Sequence, residues 1–135
     1  MRVLLCCVVG IFLLSCSGGG SKDKSVSAGE LLKAINDYRV ANGLGTLTWK
    51  DSIATVATNY AEYLNNLRKT NPSQEYEPNR NGTPASRLSG LYTSWCGEAG
   101  KRWKADNVSD VLNNLDNKAV LLSASAKSIG IGRVP

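Results

Sequence analysis

Residues 27–49, SAGELLKAINDYRVANGLGTLTW, decide the reading of this chain. Ser27-Ala28-Gly29-Glu30 has the S-x-x-E form in which a hydroxyl and a carboxylate each satisfy a free backbone N–H at a helix start. Leu31, Ile35 and Tyr38, with Leu32 and Ala34 beside them, then recur at helical spacing, which predicts a first amphipathic helix. Asn42-Gly43 ends it, because glycine takes the left-handed conformation of a helix C-terminus without penalty. A short linker, residues 44–48, leads to Trp49, read as a core anchor.

Outward from this stretch, Asp51 is expected to cap a second helix. Ile53, Val56, Ala57, Tyr60, Ala61, Leu64 and Leu67 keep steps of three and four, the strongest helical signal in the chain. Tyr38, Tyr60 and Tyr63 read as packing residues with outward hydroxyls. Residues 69–84 hold three of the four prolines and an Asn81-Gly82 turn, so an exposed loop is expected, followed by a short helix over 85–91. Residues 95–98 read as extended. Asn107-Val108-Ser109-Asp110 offers another helix start, with Val108, Val111, Leu112 and Leu115 on one face. Residues 119–124 and 128–134 are expected to form two strands joined by a turn. Helices first and strands last predict the α+β class, with helices packed on a small antiparallel sheet.

The 135 residues are room for one domain. The amino terminus stands apart from it. After Met1 and Arg2, residues 3–14 (VLLCCVVGIFLL) form an unbroken apolar run, too short for the roughly 20 residues that span a bilayer. That is the pattern of an export leader. Leu13-Leu14-Ser15-Cys16 resembles the bacterial lipobox, which implies lipid on Cys16 and a chain tethered to a membrane surface. An ordinary leader cut after Ser15 or Ser17, giving a secreted protein, is the alternative. The Gly/Ser-rich segment after Cys16 reads as a flexible spacer. The organisation expected is therefore a leader over 1–15, a linker over 16–26 and a domain over 27–135.

Composition excludes several chemistries. No histidine occurs among the 135 residues, which removes Ser-His-Asp triads, Cys-His dyads and HExxH sites. Of the four cysteines, Cys6 and Cys7 fall in the leader and Cys16 at the anchor, so Cys96 stands alone and no intrachain disulfide is expected in the mature domain. Its nearest cations in sequence are Lys101 and Arg102, and a buried, inert thiol is the expected reading. The net charge of +5 is spread along the chain without a basic tract or a base-stacking motif, so no nucleic-acid partner is expected.

The order of segments resembles the CAP superfamily, the domain of cysteine-rich secretory proteins, antigen 5 and pathogenesis-related 1, also called SCP-like. Residues 31–49 match its N-x-x-R-x-x-x-G-L-x-x-L-x-W pattern through Asn36, Arg39, Gly43, Leu44, Leu47 and Trp49. Thr83, Pro84 and Arg87 resemble its short helix, Gly97-Glu98 its G-E-N motif, and residues 117–132 its closing G-x-G segment. The resemblance implies an α-β-α sandwich and a cleft that holds two histidines and two glutamates in members with an intact metal site. Here Glu98 matches one glutamate, the second has no clear counterpart, and the histidine positions fall on Asn117 and near Tyr76. Ala99 replaces the asparagine of G-E-N. No metal and no cofactor are expected, since a carboxylate with an amide and a phenol does not replace imidazole for zinc-like ions. Family domains continue past the G-x-G strand into a further strand, so the resemblance implies a sheet short of its last strand at Pro135, or a smaller one, with Arg133 and Pro135 blunting the edge.

These features lead to an expectation of a non-catalytic binding domain held at a membrane by lipid, with Glu98, Asn117 and Tyr76 as cleft candidates. The partners implied are a lipid or sterol, or a component of the envelope or of a host. A hydrolase using Glu98 is the rival reading, although Glu98 has no visible base to relay protons and its pairing with Lys101 or Arg102 is the bland alternative. A truncated, nonfunctional family member is the third.

Overall fold

The computed structural model describes residues 5–10, 26–71, 84–87, 94–99, 107–113, 115 and 118–132. Along the chain these form β1 (Leu5–Gly10), α1 (Ala28–Ala41), β2 (Thr48–Trp49), α2 (Asp51–Thr70), α3 (Pro84–Arg87), β3 (Ser94–Ala99), α4 (Val108–Asn113), a 3₁₀ turn (Lys118–Leu122) and β4 (Ser128–Gly132).

Helix α1 forms as its caps dictate. Ser27 accepts the Glu30 N–H at 3.1 Å, and the Glu30 carboxylate accepts the Ser27 N–H at 2.9 Å. At the far end Gly43, with φ at 77°, donates to the Val40 carbonyl, and Leu44 donates to the Arg39 carbonyl, each at 3.0 Å. These two bonds make a Schellman end, which satisfies carbonyls that the helix leaves open. Leu31 and Ile35 face the core, as their spacing requires. Helix α2 begins with Lys50 at its cap and no side-chain capping bond. The Asp51 carboxylate instead accepts from the Trp49 indole N–H at 2.7 Å, which corrects the expectation that Asp51 caps this helix.

The sheet has the order β2-β4-β1-β3. All three pairings are parallel: β1 with β3, β1 with β4, and β2 with β4. The α+β class and the sandwich stand, but the antiparallel orientation is corrected. Its expected source was a hairpin of residues 119–124 against residues 128–134. The first of these segments forms the 3₁₀ turn, with Leu121 fully buried and the Leu121 and Ser123 carbonyls accepting from Arg39. The segment is thus a turn held by Arg39 and not a strand, and β4 pairs with β1 and β2 instead.

Two helical layers cover the sheet. On one side Ile129 and Ile131 of β4 join Leu31 and Ile35 of α1, Val111 of α4, Leu115 and Leu121 in the main core. On the other side α2 lies directly on β4. A Cβ at Gly130 would stand 2.1 Å from the Ala54 nitrogen, and one at Gly132 would stand 2.2 Å from the Ala57 carbonyl carbon. The G-x-G spacing therefore bares one face of β4 so that helix backbone reaches strand backbone, while the alternate isoleucines fill the opposite face.

Leu5–Gly10 occupies an interior position of this sheet, although it lies within the run that reads as a leader. An apolar, uncharged segment with two adjacent valines suits a parallel strand buried on both faces as well as it suits the core of a leader.

Candidate functional site

Two clamps at the end of α1 fix the frame on which the site is built. The Asn36 side-chain amide donates to the Leu47 carbonyl at 3.2 Å, and its oxygen accepts the Leu47 N–H at 2.8 Å. A side chain here pairs with main chain as a neighbouring strand would, and it delivers residues 48 and 49 to β4. The Thr48 N–H then donates to the Lys127 carbonyl at 2.9 Å and the Lys50 N–H to the Ile129 carbonyl at 2.8 Å.

Arg39 is the second clamp. Its side chain is 1% exposed and donates to three main-chain carbonyls, Gly45 at 2.8 Å, Leu121 at 2.6 Å and Ser123 at 3.0 Å. The planar guanidinium presents its donors in a fixed fork, and here the fork gathers the loop after α1 and the 3₁₀ turn. Both polar residues of the N-x-x-R pattern therefore build scaffold. Trp49 is half-buried against the main core, in keeping with its expected role as an anchor.

The sheet then sets the place of Glu98. Cys6 pairs with Trp95 and Cys7 with Gly97, so the register shifts at Cys96. One extra residue in a strand opposite two consecutive partners is a bulge, a device that re-aims the strand beyond it. Past this point Glu98 pairs with Val8, which pairs in turn with Gly130. Glu98 therefore sits in one row of the sheet with the glycine against which α2 packs.

Helix α3 packs against β3 and brings Arg87 to α2. The Arg87 guanidinium carbon lies 3.5 Å above the centroid of the Tyr60 ring, a cation–π arrangement. Tyr60 is buried and stacks with Tyr63, ring centroids 6.0 Å apart and planes 14° apart. Ala61 and Leu64 complete this second, smaller core. The corner where α2, α3 and β3 meet thus combines an aromatic pair, a cation and the strand that carries Glu98.

Of the residues selected from sequence, Glu98 has its backbone placed on β3, with its side chain outside the described set, as is that of Cys96. Tyr76, Asn117 and Cys16 lie outside the described residues. Among the described residues no group of three His, Cys, Asp or Glu side chains stands together as a metal site would require. The Arg87–Tyr60 stack is what sequence reasoning missed. The i, i+3 spacing of Tyr60 and Tyr63 puts both rings on one helix face, but nothing in the intervening loop sequence says that Arg87 returns to them.

Among the described residues no helix is long and apolar enough to cross a membrane. No curated protein and no solved structure matches the chain. Residues 32–135 match the family model described as CAP, cysteine-rich secretory protein family. The match takes in Asn36, Arg39, Gly130 and Gly132, whose clamps and close packing are the frame described above. The chain belongs to the CAP, or cysteine-rich secretory protein, family.

Proposed function

We propose that this CAP protein is an extracytoplasmic binding domain, without catalytic activity, tethered to a membrane by lipid on Cys16. One contrast carries the reading. The family-pattern residues that build scaffold are engaged here, as Asn36, Arg39 and the Gly130/Gly132 contact with α2 demonstrate, whereas the chain contains no imidazole at all. A chain without imidazole lacks the usual ligand for zinc-like ions and the usual proton carrier at neutral pH. What remains is recognition, with Glu98, Tyr76 and Asn117 as the polar contacts that the family resemblance implies and with the aromatic corner of Tyr60, Tyr63 and Arg87 as an apolar contact. A mixture of apolar rings and a few polar groups suits an amphiphile, a fatty acid or a sterol. The tether is supported by the apolar run over residues 3–14 and by Leu13-Leu14-Ser15-Cys16.

Titration of the purified protein with a fluorescent fatty acid and a fluorescent sterol tests this. One of the two should bind saturably, and Glu98→Gln should weaken it several-fold without moving the melting temperature. Zinc retained at one per chain after dialysis, or hydrolytic turnover abolished by Glu98→Gln, would overturn the reading.

A further inference from the structure

We propose that Arg87 is the positioning residue for the Glu98 carboxylate. The proposal rests on the reading above in that Glu98 is a polar contact of the site, and it concerns how that carboxylate is held.

Helix α3 is PASR and strand β3 is SWCGEA, so Arg87 and Glu98 are the charged residues of these two elements and are opposite in sign. The elements pack together, with Cα atoms within 8 Å of one another. Helix α2 settles which end of the strand is involved. Its Ala54 stands over Gly130 and its Ala57 over Gly132, so α2 runs in the direction of β4. Tyr60 is three residues on, about 4.5 Å further along the axis, past the C-terminal end of that strand. Every pairing in the sheet is parallel, so this is also the end at which β3 carries Glu98, its last residue but one. The Arg87 guanidinium, 3.5 Å above the Tyr60 ring, stands at that same end. The register supplies the face, since Glu98 shares its row with Gly130, the glycine against which α2 packs.

A guanidinium stacked on a ring uses its face and keeps its edge of N–H donors for an acceptor in the plane. A carboxylate matches that edge with two parallel hydrogen bonds, which fix its orientation as well as meet its charge. The platform beneath is itself fixed, because Tyr60 is buried and stacked on Tyr63. Arg87 is half-buried, whereas Asp51, Glu62 and Lys69 of α2 are exposed. The aromatic pair thus holds the cation, and the cation holds the carboxylate. An ion pair near the surface adds little to stability, so Glu98→Gln leaves the melting temperature in place while the aim of the acceptor is lost.

Proton–nitrogen NMR of the purified protein carrying isotope-labelled arginine tests the pairing without any ligand, the Arg87 signals being assigned by their loss in Arg87→Lys. Two hydrogen bonds to a carboxylate hinder rotation of the guanidinium, so the Nη protons of Arg87 should be resolved at low temperature and should collapse to an averaged signal in Glu98→Gln. Averaged signals in the parent protein would overturn the proposal. Signals that Glu98→Gln leaves resolved would also overturn it, and would return Glu98 to Lys101 or Arg102. In the binding titration, with whichever of the fluorescent fatty acid and the fluorescent sterol binds, Arg87→Gln should weaken binding several-fold, Arg87→Lys should recover part of the loss, and the double variant with Glu98→Gln should lose no more than either single one. Losses that add would mean two independent contacts and would overturn the positioning role. The two readings fail separately. If neither amphiphile binds while the Arg87 signals respond to Glu98→Gln, the binding function falls and the pairing stands, whereas an amphiphile that binds to a protein whose Arg87 signals ignore Glu98→Gln removes the positioning role alone.

Discussion

The guanidinium of Arg39 donates a 2.6 Å hydrogen bond to the carbonyl of Leu121, 82 residues further along the chain. The same nitrogen also reaches Ser123, and the Nε–H of the side chain reaches Gly45. All three acceptors are main-chain carbonyls, so among the described residues the charge is stabilised by peptide dipoles and not by an opposite charge. A buried cation is tolerated only where each donor has a well-aligned partner. The consequence is that one side chain holds the end of α1, the following loop and the 3₁₀ turn in a single arrangement.

Arg39→Met should therefore cost about 3–5 kcal/mol, since carbonyls ordered around the fork lose their donors in a dry site. Arg39→Lys should recover little of this, because one ammonium cannot present a planar fork to three carbonyls. Thermal denaturation followed by circular dichroism measures both. A change under about 0.5 kcal/mol, as expected for Lys33→Ala at the exposed pair with Asp37, would contradict the role given to Arg39.

Gly130→Ala and Gly132→Ala should each destabilise by about 3 kcal/mol, because the atoms that a new methyl meets belong to the α2 backbone and cannot rotate away. Gly29→Ala is the contrast. Nothing stands within 4 Å of its new Cβ, and a helical glycine replaced by alanine gains up to about 1 kcal/mol. Chemical denaturation of the three variants should order them with Gly29→Ala at or above the parent.

Asn36→Ala should cost about 2 kcal/mol, since it leaves both main-chain groups of Leu47 without the partners that Asn36 provides. The loss should be localised. Native-state hydrogen exchange should speed at Leu47 and Thr48 well before α2 is affected, and uniform acceleration would argue against a clamp.

Cys16→Ser should move the protein from the membrane fraction to the soluble fraction when it is produced in a bacterial host that lipidates exported proteins. One acyl chain gives marginal attachment and several give firm attachment, so the shift should be nearly complete. Unchanged fractionation would remove the tether.

Much of the helical part was legible in the sequence, and for local reasons. The Ser27/Glu30 box, the Gly43 end and the apolar steps of α1 and α2 all lie within a few residues of the bonds they make. Asn107 behaves likewise, its side chain accepting the Asp110 N–H at 2.8 Å where a helix start was expected. Strand β3 also falls where residues 95–98 read as extended. The misreadings concern distance along the chain. Residues 119–124 have the composition of a strand, but the chain turns there, and its Leu121 and Ser123 carbonyls accept from Arg39, 82 and 84 residues away. The parallel sheet was hidden because none of its pairings joins consecutive strands. Leu5–Gly10 carries a pattern that two environments share, and its partners lie at the other end of the molecule. Of the candidate site, the row that holds Glu98 is placed by the bulge at Cys96, and a one-residue irregularity leaves no trace in composition.

The strand order β2-β4-β1-β3 has a temporal consequence. Each neighbour in the sheet arrives late: Thr48 waits for Ser128, and Cys6 for both Trp95 and Ser128. A ribosome that has synthesised two-thirds of the protein has delivered helices but no completed ladder, and closure of long loops must precede any pairing. The nascent polypeptide therefore stays open until β4 emerges, a delay that would favour the export proposed above, since a chain threads a pore only before it collapses.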